Sequence, residues 1–213
     1  RGRRPACLRH ARHHLQQGVW STTRAVAVTK RVYFYAPLKS PCHPTPSGDR
    51  EIGRRLMSVL ASAGWQVDLV SQLRAYEREG NAGRQAVIRG EALREAQSVI
   101  ARLGPHAGQA VWFTYHLYHK APDWIGPAVC KALSMPYVVA EASVADKQAR
   151  GPWKMGYAGS LAALRQAALV VHLNSHDIEG LANRGIPENA LEYLSPFLDV
   201  RRFRPAGAAS PRQ

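Results

Sequence analysis

Short apolar runs alternate with segments of helical spacing between residues 31 and 195, and this alternation restricts the fold more than any other feature. The segments between the runs carry apolar residues at helical spacing, as EIGRRLMSVLASAG (51–64) does. Continuous apolar runs are typical of strands that helices cover on both faces. The sequence therefore predicts an α/β fold with an open, doubly wound parallel sheet of about six strands. The predicted strands are RVYFYAP (31–37), WQVDLV (65–70), QAVWFTY (109–115), PYVVAEA (136–142), ALVVHLN (168–174) and LEYLS (191–195).

The chain is strongly basic, with 29 Lys and Arg against 15 Asp and Glu and a formal net charge of +14. Residues 1–48 hold nine of the basic residues and no acidic one, because Asp49 is the first acid in the sequence. Such a composition buries little apolar surface, so residues 1–30 are predicted to be a disordered basic tail or an artefactual extension. An arm that binds nucleic acid or an anionic membrane is the alternative interpretation.

The cysteine content points to a reducing compartment. Cys7, Cys42 and Cys130 are odd in number and far apart in sequence, which argues against a disulfide framework and against a structural zinc site. No apolar run approaches the roughly 18 residues of a membrane span. We expect a cytoplasmic protein, with the basic surplus allowing peripheral contact with the inner face of the membrane.

Candidate site residues follow the strands, because ligands of open parallel sheets bind beyond the carboxyl ends of the strands. The first predicted strand is followed by Gly48 and Arg50, the third by His116, Tyr118, His119 and Lys120, the fourth by Glu141, Ser143 and Lys147, and the fifth by Asn174 and Ser175. Neither GxGxxG nor GxxxxGK[ST] occurs after the first strand. Gly48 would let a phosphate or a sugar approach the backbone at a helix start, or it is a plain turn glycine.

His116 and Glu141 are the candidate catalytic residues. Glu141 ends an apolar strand, where a carboxylate is costly unless it is used or paired. It would act as a general base or hold a sugar hydroxyl, and a salt bridge to Lys147 or Arg150 is the alternative. His116 and His119 are three residues apart, but a metal site would need a third ligand, so we expect no metal. A hydrogen-bonding pocket wall is predicted instead, with simple packing of the loop against the sheet as the alternative.

Three stretches resemble the amino-terminal domain of family 4 (retaining, GT-B) glycosyltransferases: VVHLNSHDIEGL, YLSPFLDVRRFRP and FTYHLYHKAPDWIGPAVCKALSMPYVVAEAS. The resemblance covers residues 32–205. It implies a Rossmann-like acceptor-side domain over residues 31–195, with residues 196–213 as the hinge to a carboxyl-terminal donor domain that is missing here. The chain resembles a fragment cut at that hinge. The family usually carries two adjacent glycines in its first turn, whereas this chain has only Gly48, and Glu141 stands where a histidine or aspartate is common.

The resemblance further implies an enzyme that moves a sugar from a nucleotide-sugar donor to a hydroxyl of a glycan or lipid-linked acceptor, without a metal or other cofactor. The isolated chain would then be inactive. Two other classes of function remain open: another nucleotide-dependent α/β enzyme, which the missing GxGxxG disfavours, and a basic module that binds nucleic acid. Much of the charge lies in the predicted tail rather than on a folded face, which makes nucleic acid an unlikely partner.

Overall fold

A computed structural model describes residues 30–104, 107–174, 177–195 and 197. The predicted tail, apart from Lys30, and the predicted hinge, apart from Phe197, lie outside the described residues. The strands are β1 (Arg31–Tyr35), β2 (Gln66–Leu69), β3 (Ala110–Tyr118), β4 (Tyr137–Ser143), β5 (Leu169–His172) and β6 (Leu191–Tyr193). The helices are α1 (Gly48–Ser62), α2 (Ala82–Leu103), α3 (Gly126–Leu133), α4 (Lys154–Gln166) and α5 (Asp177–Ala182).

The six strands form one sheet in the order β2-β1-β3-β4-β5-β6, and every neighbouring pair is parallel. The predicted parallel α/β sheet of about six strands is thereby confirmed. The strand order reverses between β1 and β3, so the connections from these two strands leave in opposite directions. Such a reversal opens a crevice at the carboxyl ends of the strands, which is where ligands of open α/β sheets bind.

The two faces of the sheet are covered unequally. On one face, α1 packs Leu56 over Val32, Phe34 and Tyr115, and the rings of Phe34 and Phe113 stack with centroids 5.4 Å apart. The larger cluster on the other face joins β-strand residues such as Trp112 and Tyr137 to α2, α3, α4 and α5. Burial of these large aromatic side chains is the main stabilising contribution of the sheet.

The start of α1 is set by its first residues. Ser47 has extended backbone, and its hydroxyl accepts a hydrogen bond of 3.3 Å from the backbone N–H of Arg50. Asp49 and Glu51 lie in the first turn, where the helix dipole favours negative charge. This cap brings the amino end of α1 to the carboxyl edge of the sheet, beside β3.

A buried carboxylate anchors the connection between β3 and α3. Asp123 accepts hydrogen bonds from the hydroxyls of Thr114 (2.6 Å) and Tyr137 (2.9 Å). It also accepts from the backbone N–H groups of Ile125 and Gly126, both at 2.8 Å. Burial raises the pKa of Asp123, while these four hydrogen bonds act in the opposite direction. The network fixes the end of the loop that carries His119 and Lys120.

The main departure from the sequence prediction is the length of β3. The strand was predicted to end at Tyr115, but it continues to Tyr118. His116 and Tyr118 therefore lie within the strand and not in the following loop. The strand extends past Tyr115 because Leu117 and Tyr118 pair with Ala142 and Ser143 of β4. Within the described residues, no helix is both long enough and apolar enough to cross a membrane.

Candidate functional site

His116 and Glu141 face each other across β3 and β4. Their register position lies between the pairs Tyr115–Ala140 and Leu117–Ala142. Both residues have positive φ, 62° for His116 and 58° for Glu141. A left-handed backbone costs a non-glycine residue on the order of 1–2 kcal/mol, and such residues cluster at functional sites. Two matched outliers on neighbouring strands mark this point of the sheet as a candidate active site.

The left-handed residues change which face of the sheet the side chains occupy. In a regular strand, Leu117 would share a face with Tyr115, because side chains alternate. Instead Leu117 and Ala142 pack in the cluster beneath α2–α4, while Tyr115 and Ala140 pack beneath α1. The left-handed backbone at His116 and Glu141 thus interrupts the alternation of the two strands. The polar side chains of these residues lie at the crevice, while Leu117 and Ala142 pack in the core.

His116 is held by an aspartate from α1. Its Nδ1 lies 2.9 Å from Asp49 Oδ1, and the two side chains are 23% and 34% exposed. A carboxylate only accepts hydrogen bonds, so Nδ1 must carry the hydrogen that it donates to Asp49. In the neutral ring, Nε2 is then an acceptor with a lone pair. The pair can therefore take up a proton from a substrate hydroxyl that reaches Nε2.

The first turn of α1 favours a neutral ligand over an anion. A Cβ added at Gly48 would meet no protein atom within 4 Å, so the space beside this backbone is open. However, Asp49 and Glu51 already compensate the helix dipole there, and the arginines beside them, Arg50 and Arg54, are paired with Glu51. Arg50 braces the loop by donating from Nη1 to the carbonyls of His43 and Pro44, both at 3.0 Å. Phosphate binding at this helix end is disfavoured, and a sugar hydroxyl fits better.

Tyr115 and Glu141 form the inner wall of the site. The Tyr115 hydroxyl and Glu141 Oε2 are buried, and neither makes a hydrogen bond of ordinary geometry to a described residue. The two groups are nevertheless close enough to interact, because a hydrogen bond to Glu141 contributes to the raised pKa of Tyr115. Burial, and secondarily the charge of Glu141, hold the pKa of Tyr115 well above its ordinary value, so the phenol stays a donor. The alternative salt bridge of Glu141 to Lys147 or Arg150 is not formed, since no described basic group lies within 4.0 Å of its carboxylate.

A row of aromatic rings crosses the carboxyl edge of the sheet from this wall. Consecutive centroids are 5.8, 5.3, 5.3 and 5.7 Å apart. The row comprises Tyr115, His116, Tyr118, His119 and Trp153. Burial is the largest cause that raises the pKa of Tyr118 to about 12, which leaves its hydroxyl protonated at neutral pH. Ring edges and polar tips side by side suit a polar ligand with apolar faces, such as a sugar or a nucleoside base.

His119 and Lys120 occupy the centre of a tight turn that ends this row. Tyr118 and Ala121 pair through their backbones on either side of the turn. The backbone carbonyl of Lys120 accepts a hydrogen bond of 2.8 Å from the backbone N–H of Glu77. The side-chain ammonium of Lys120 lies 4.4 Å from the Trp153 ring centroid. Burial, followed by the charges of Lys120 and Lys147, lowers the pKa of His119. The turn is therefore a rigid and locally positive corner of the site.

Gly156 on α4 keeps this turn in place. A Cβ at position 156 would lie 1.9 Å from the His119 carbonyl oxygen, far inside van der Waals contact. Only glycine lets the helix approach so closely. The backbone of the turn is thus fixed by direct packing against α4 in addition to its hydrogen bonds.

The remaining predicted residues lie further from His116 and Glu141. Ser143 is the exposed last residue of β4, and Lys147 is exposed in the segment that follows the strand. Asn174 is exposed after β5, and its carbonyl lies 3.0 Å from His172 Nδ1. Ser175 lies outside the described residues. In the part of the chain that the structure describes, no three His, Cys, Asp or Glu side chains are grouped to hold a metal ion.

Sequence reasoning missed four contributors to the site: Asp49, Tyr115, Gln85 and Trp153. Asp49 had a recognisable signal, because it follows Gly48 directly in the first turn of a helix that leaves β1. Tyr115 was treated as a strand residue only. Gln85 and Trp153 are far from β3 in sequence, and only the packing of α2 and α4 brings them to the turn.

The chain is similar to known proteins in structure and not in sequence. No family model matches the chain, and no curated protein matches it significantly. A solved structure that is similar is the crystal structure of Anabaena Alr3699/HepE in complex with UDP and glucose. The two share 10% identity with a TM-score of 0.47, over 84% of this chain and 47% of that chain. The chain spans about half the length of that protein, and similarity of this degree carries no inference about the site.

Proposed function

We propose that this chain is the acceptor-side half of a nucleotide-sugar glycosyltransferase, related to family 4, that transfers a sugar to a hydroxyl of a glycan or lipid-linked acceptor. The observation that carries the proposal is the matched left-handed pair of His116 and Glu141 at the point where the strand order reverses. The resemblance of three sequence stretches to that family supplies the reaction class. The geometry supports a site for hydroxyl chemistry at the predicted residues.

His116 would serve as the base. The acceptor hydroxyl gives its proton to Nε2 as its oxygen forms the new bond to the anomeric carbon on the face that the diphosphate leaves, as retention of configuration requires, and Asp49 stabilises the imidazolium that results. The bond between the anomeric carbon and the nucleoside diphosphate breaks, and its electron pair leaves with the phosphate oxygen.

Glu141 and Tyr115 would orient the sugar. The Oε2 atom of Glu141 accepts a hydrogen bond from a substrate hydroxyl, and its negative charge stabilises the positive charge that develops on the sugar ring. The buried Tyr115 phenol donates to the same substrate or to Glu141. Burial of Glu141 Oε2 without a hydrogen bond of good geometry is costly in the free protein, and a bound hydroxyl would reduce that cost.

The donor phosphates would bind away from the start of α1, where the Asp49 carboxylate next to His116 would repel them. Lys120 and Lys147, near His119, are the positive groups at the other end of the aromatic row. We propose that the donor diphosphate lies towards these lysines, with a second domain closing over it and no metal required. Cytoplasmic location with peripheral contact to the inner membrane face is part of the same proposal.

The test is a transfer assay with a panel of nucleotide sugars on the chain alone and on the chain extended by its downstream reading frame. We expect transfer only with the extended form. His116→Asn keeps a polar atom where Nδ1 lies and tolerates positive φ, but it lacks Nε2, so turnover should fall by about 10²–10⁴-fold. His43→Asn is the matched control on the neighbouring loop, and it should retain turnover. Equal activity of both variants would contradict the assignment of His116.

A further inference from the structure

A small cavity separates α2 from the turn that carries His119 and Lys120. It is lined by Gln85 and Ile88 from α2, Glu77, His119, and Trp124. Its volume is about 10 Å³. By the same measure, one water molecule needs roughly 10–15 Å³, so the space is of the size of one oxygen atom and excludes a sugar ring.

Two of the lining residues each carry a buried polar atom that has no hydrogen-bond partner among the described residues. Gln85 is 7% exposed, and its Oε1 atom is buried without a hydrogen bond among the described residues. The amide is oriented by Nε2, which donates to the Pro152 carbonyl at 2.9 Å, so the lone pairs of Oε1 remain unused. His119 Nδ1 is likewise buried without a partner in the described part of the chain.

Two charged residues that also line the cavity, Glu77 and Lys120, are already engaged. Lys120 Nζ donates to the Arg78 carbonyl at 3.5 Å and lies over the Trp153 ring. Glu77 accepts from the backbone N–H groups of Glu79, Gly80 and Asn81, so its carboxylate is held by its own loop. An unsatisfied buried polar atom costs about 1–3 kcal/mol, and two residues that line this one cavity each carry such an atom. A ligand that can donate to Gln85 Oε1 and also bond to an imidazole nitrogen would satisfy both.

We infer that the cavity binds a single internal water molecule that bridges Gln85 Oε1 and His119 Nδ1. The water donates one hydrogen to the amide oxygen, and it connects α2 to the tight turn of the candidate site. Together with the contact of Gly156 on the His119 carbonyl, it fixes both the backbone and the ring of His119. Gln85 is therefore a positioning residue for His119, and this holds whatever reaction the site performs.

Two variants at one position separate the water bridge from general packing. The side-chain amide of asparagine can place a polar atom near the position of imidazole Nδ1. The longer glutamine side chain places its amide near the position of Nε2. His119→Asn should therefore keep the water, and His119→Gln should lose it. Because the lost bridge leaves Gln85 unsatisfied, His119→Gln should lower Tm by about 2–4 °C relative to His119→Asn.

The deciding experiment is a crystal structure of the 213-residue chain at about 1.5 Å, from crystals grown and frozen without glycerol or other polyols. We expect a spherical density peak within about 2.6–3.2 Å of both Gln85 Oε1 and His119 Nδ1. The peak should persist in His119→Asn and vanish in Gln85→Met. No peak in the wild type, or an unchanged peak in Gln85→Met, would overturn the inference.

Discussion

His116 and Glu141 lie opposite each other on neighbouring parallel strands, and both hold a left-handed backbone, with φ of 62° and 58°. One such residue could be a local accident of packing. Two at the same register position keep both polar side chains at the crevice and return Leu117 and Ala142 to the core. The backbone strain at His116 and Glu141 is therefore part of how the site is arranged, and its free-energy cost can be measured.

The first prediction concerns that strain. Glu141→Gly should be more stable than Glu141→Ala by about 0.5–1 kcal/mol, because glycine adopts positive φ without steric cost. Both variants remove the carboxylate, so their difference isolates the backbone. Urea unfolding measures it. Ala140→Gly, one residue earlier in β4, is the control and should destabilise, since glycine weakens a regular strand. An alanine variant at 141 that is more stable than the glycine variant would contradict the assigned backbone.

Asp49 provides the second prediction. Asp49→Ala removes the acceptor that orients His116 Nδ1, so turnover in the extended protein should fall by about 10–100-fold with a smaller change in KM. Asp49→Asn keeps an acceptor oxygen and should lose less. Glu51→Ala removes an acid from the same turn of α1 without touching His116, so it serves as the control. A fall in activity that is equal for Glu51→Ala would mean that helix stability, not His116, is the cause.

The third prediction compares two glycines. Gly156→Ala should destabilise by more than about 2 kcal/mol, because its Cβ would overlap the His119 carbonyl and force α4 away from the turn. Gly48→Ala should leave stability unchanged or slightly raised, since its Cβ meets no protein atom and alanine favours helix. Thermal unfolding of the two variants decides. If Gly48 also faces substrate, Gly48→Ala should still weaken substrate binding.

A pH dependence follows from His119. Burial, together with Lys120 and Lys147, lowers its pKa, so the native state binds fewer protons than the unfolded state below the ordinary value of 6.5. Stability should therefore fall as pH drops through 6.5 towards the lowered pKa. The His119→Asn variant lacks this group and should lose less stability over the same interval. Urea midpoints between pH 7.5 and pH 5 measure the difference, and parallel curves for both proteins would contradict the lowered pKa.

Much of the fold could be predicted because periodicity and turn residues act locally. Continuous apolar runs such as RVYFY and LVVH defined the strands, and Ser47 or Asn81 could define helix starts through side-chain caps. The extent of β3 could not be predicted, because its last residues are held by β4. The residues HLY (116–118) read as the start of a loop, yet pairing of Leu117 and Tyr118 with Ala142 and Ser143 keeps them in the strand.

The site was predictable only in part, for a similar reason. The rule that ligands bind at the carboxyl ends of parallel strands selected His116, His119 and Glu141 from the sequence alone. Their backbone conformations and their partners depend on tertiary contacts. The contacts between Asp49 and His116 and between Gln85 and Pro152 each join residues that are 67 positions apart in the sequence. No local pattern encodes such contacts.

The most direct test of the account is the rate of donor turnover in the extended protein when Glu141 is replaced by glutamine. Glu141→Gln preserves shape and a hydrogen-bonding oxygen but removes the charge that would stabilise the sugar at transfer. We predict that turnover with the best nucleotide sugar falls at least 100-fold while the urea midpoint is unchanged or rises, because a half-buried carboxylate that forms no salt bridge with a described basic group is replaced by a neutral amide. Turnover that stays within a few-fold of the wild type, in a protein of unchanged stability, would contradict the proposed site.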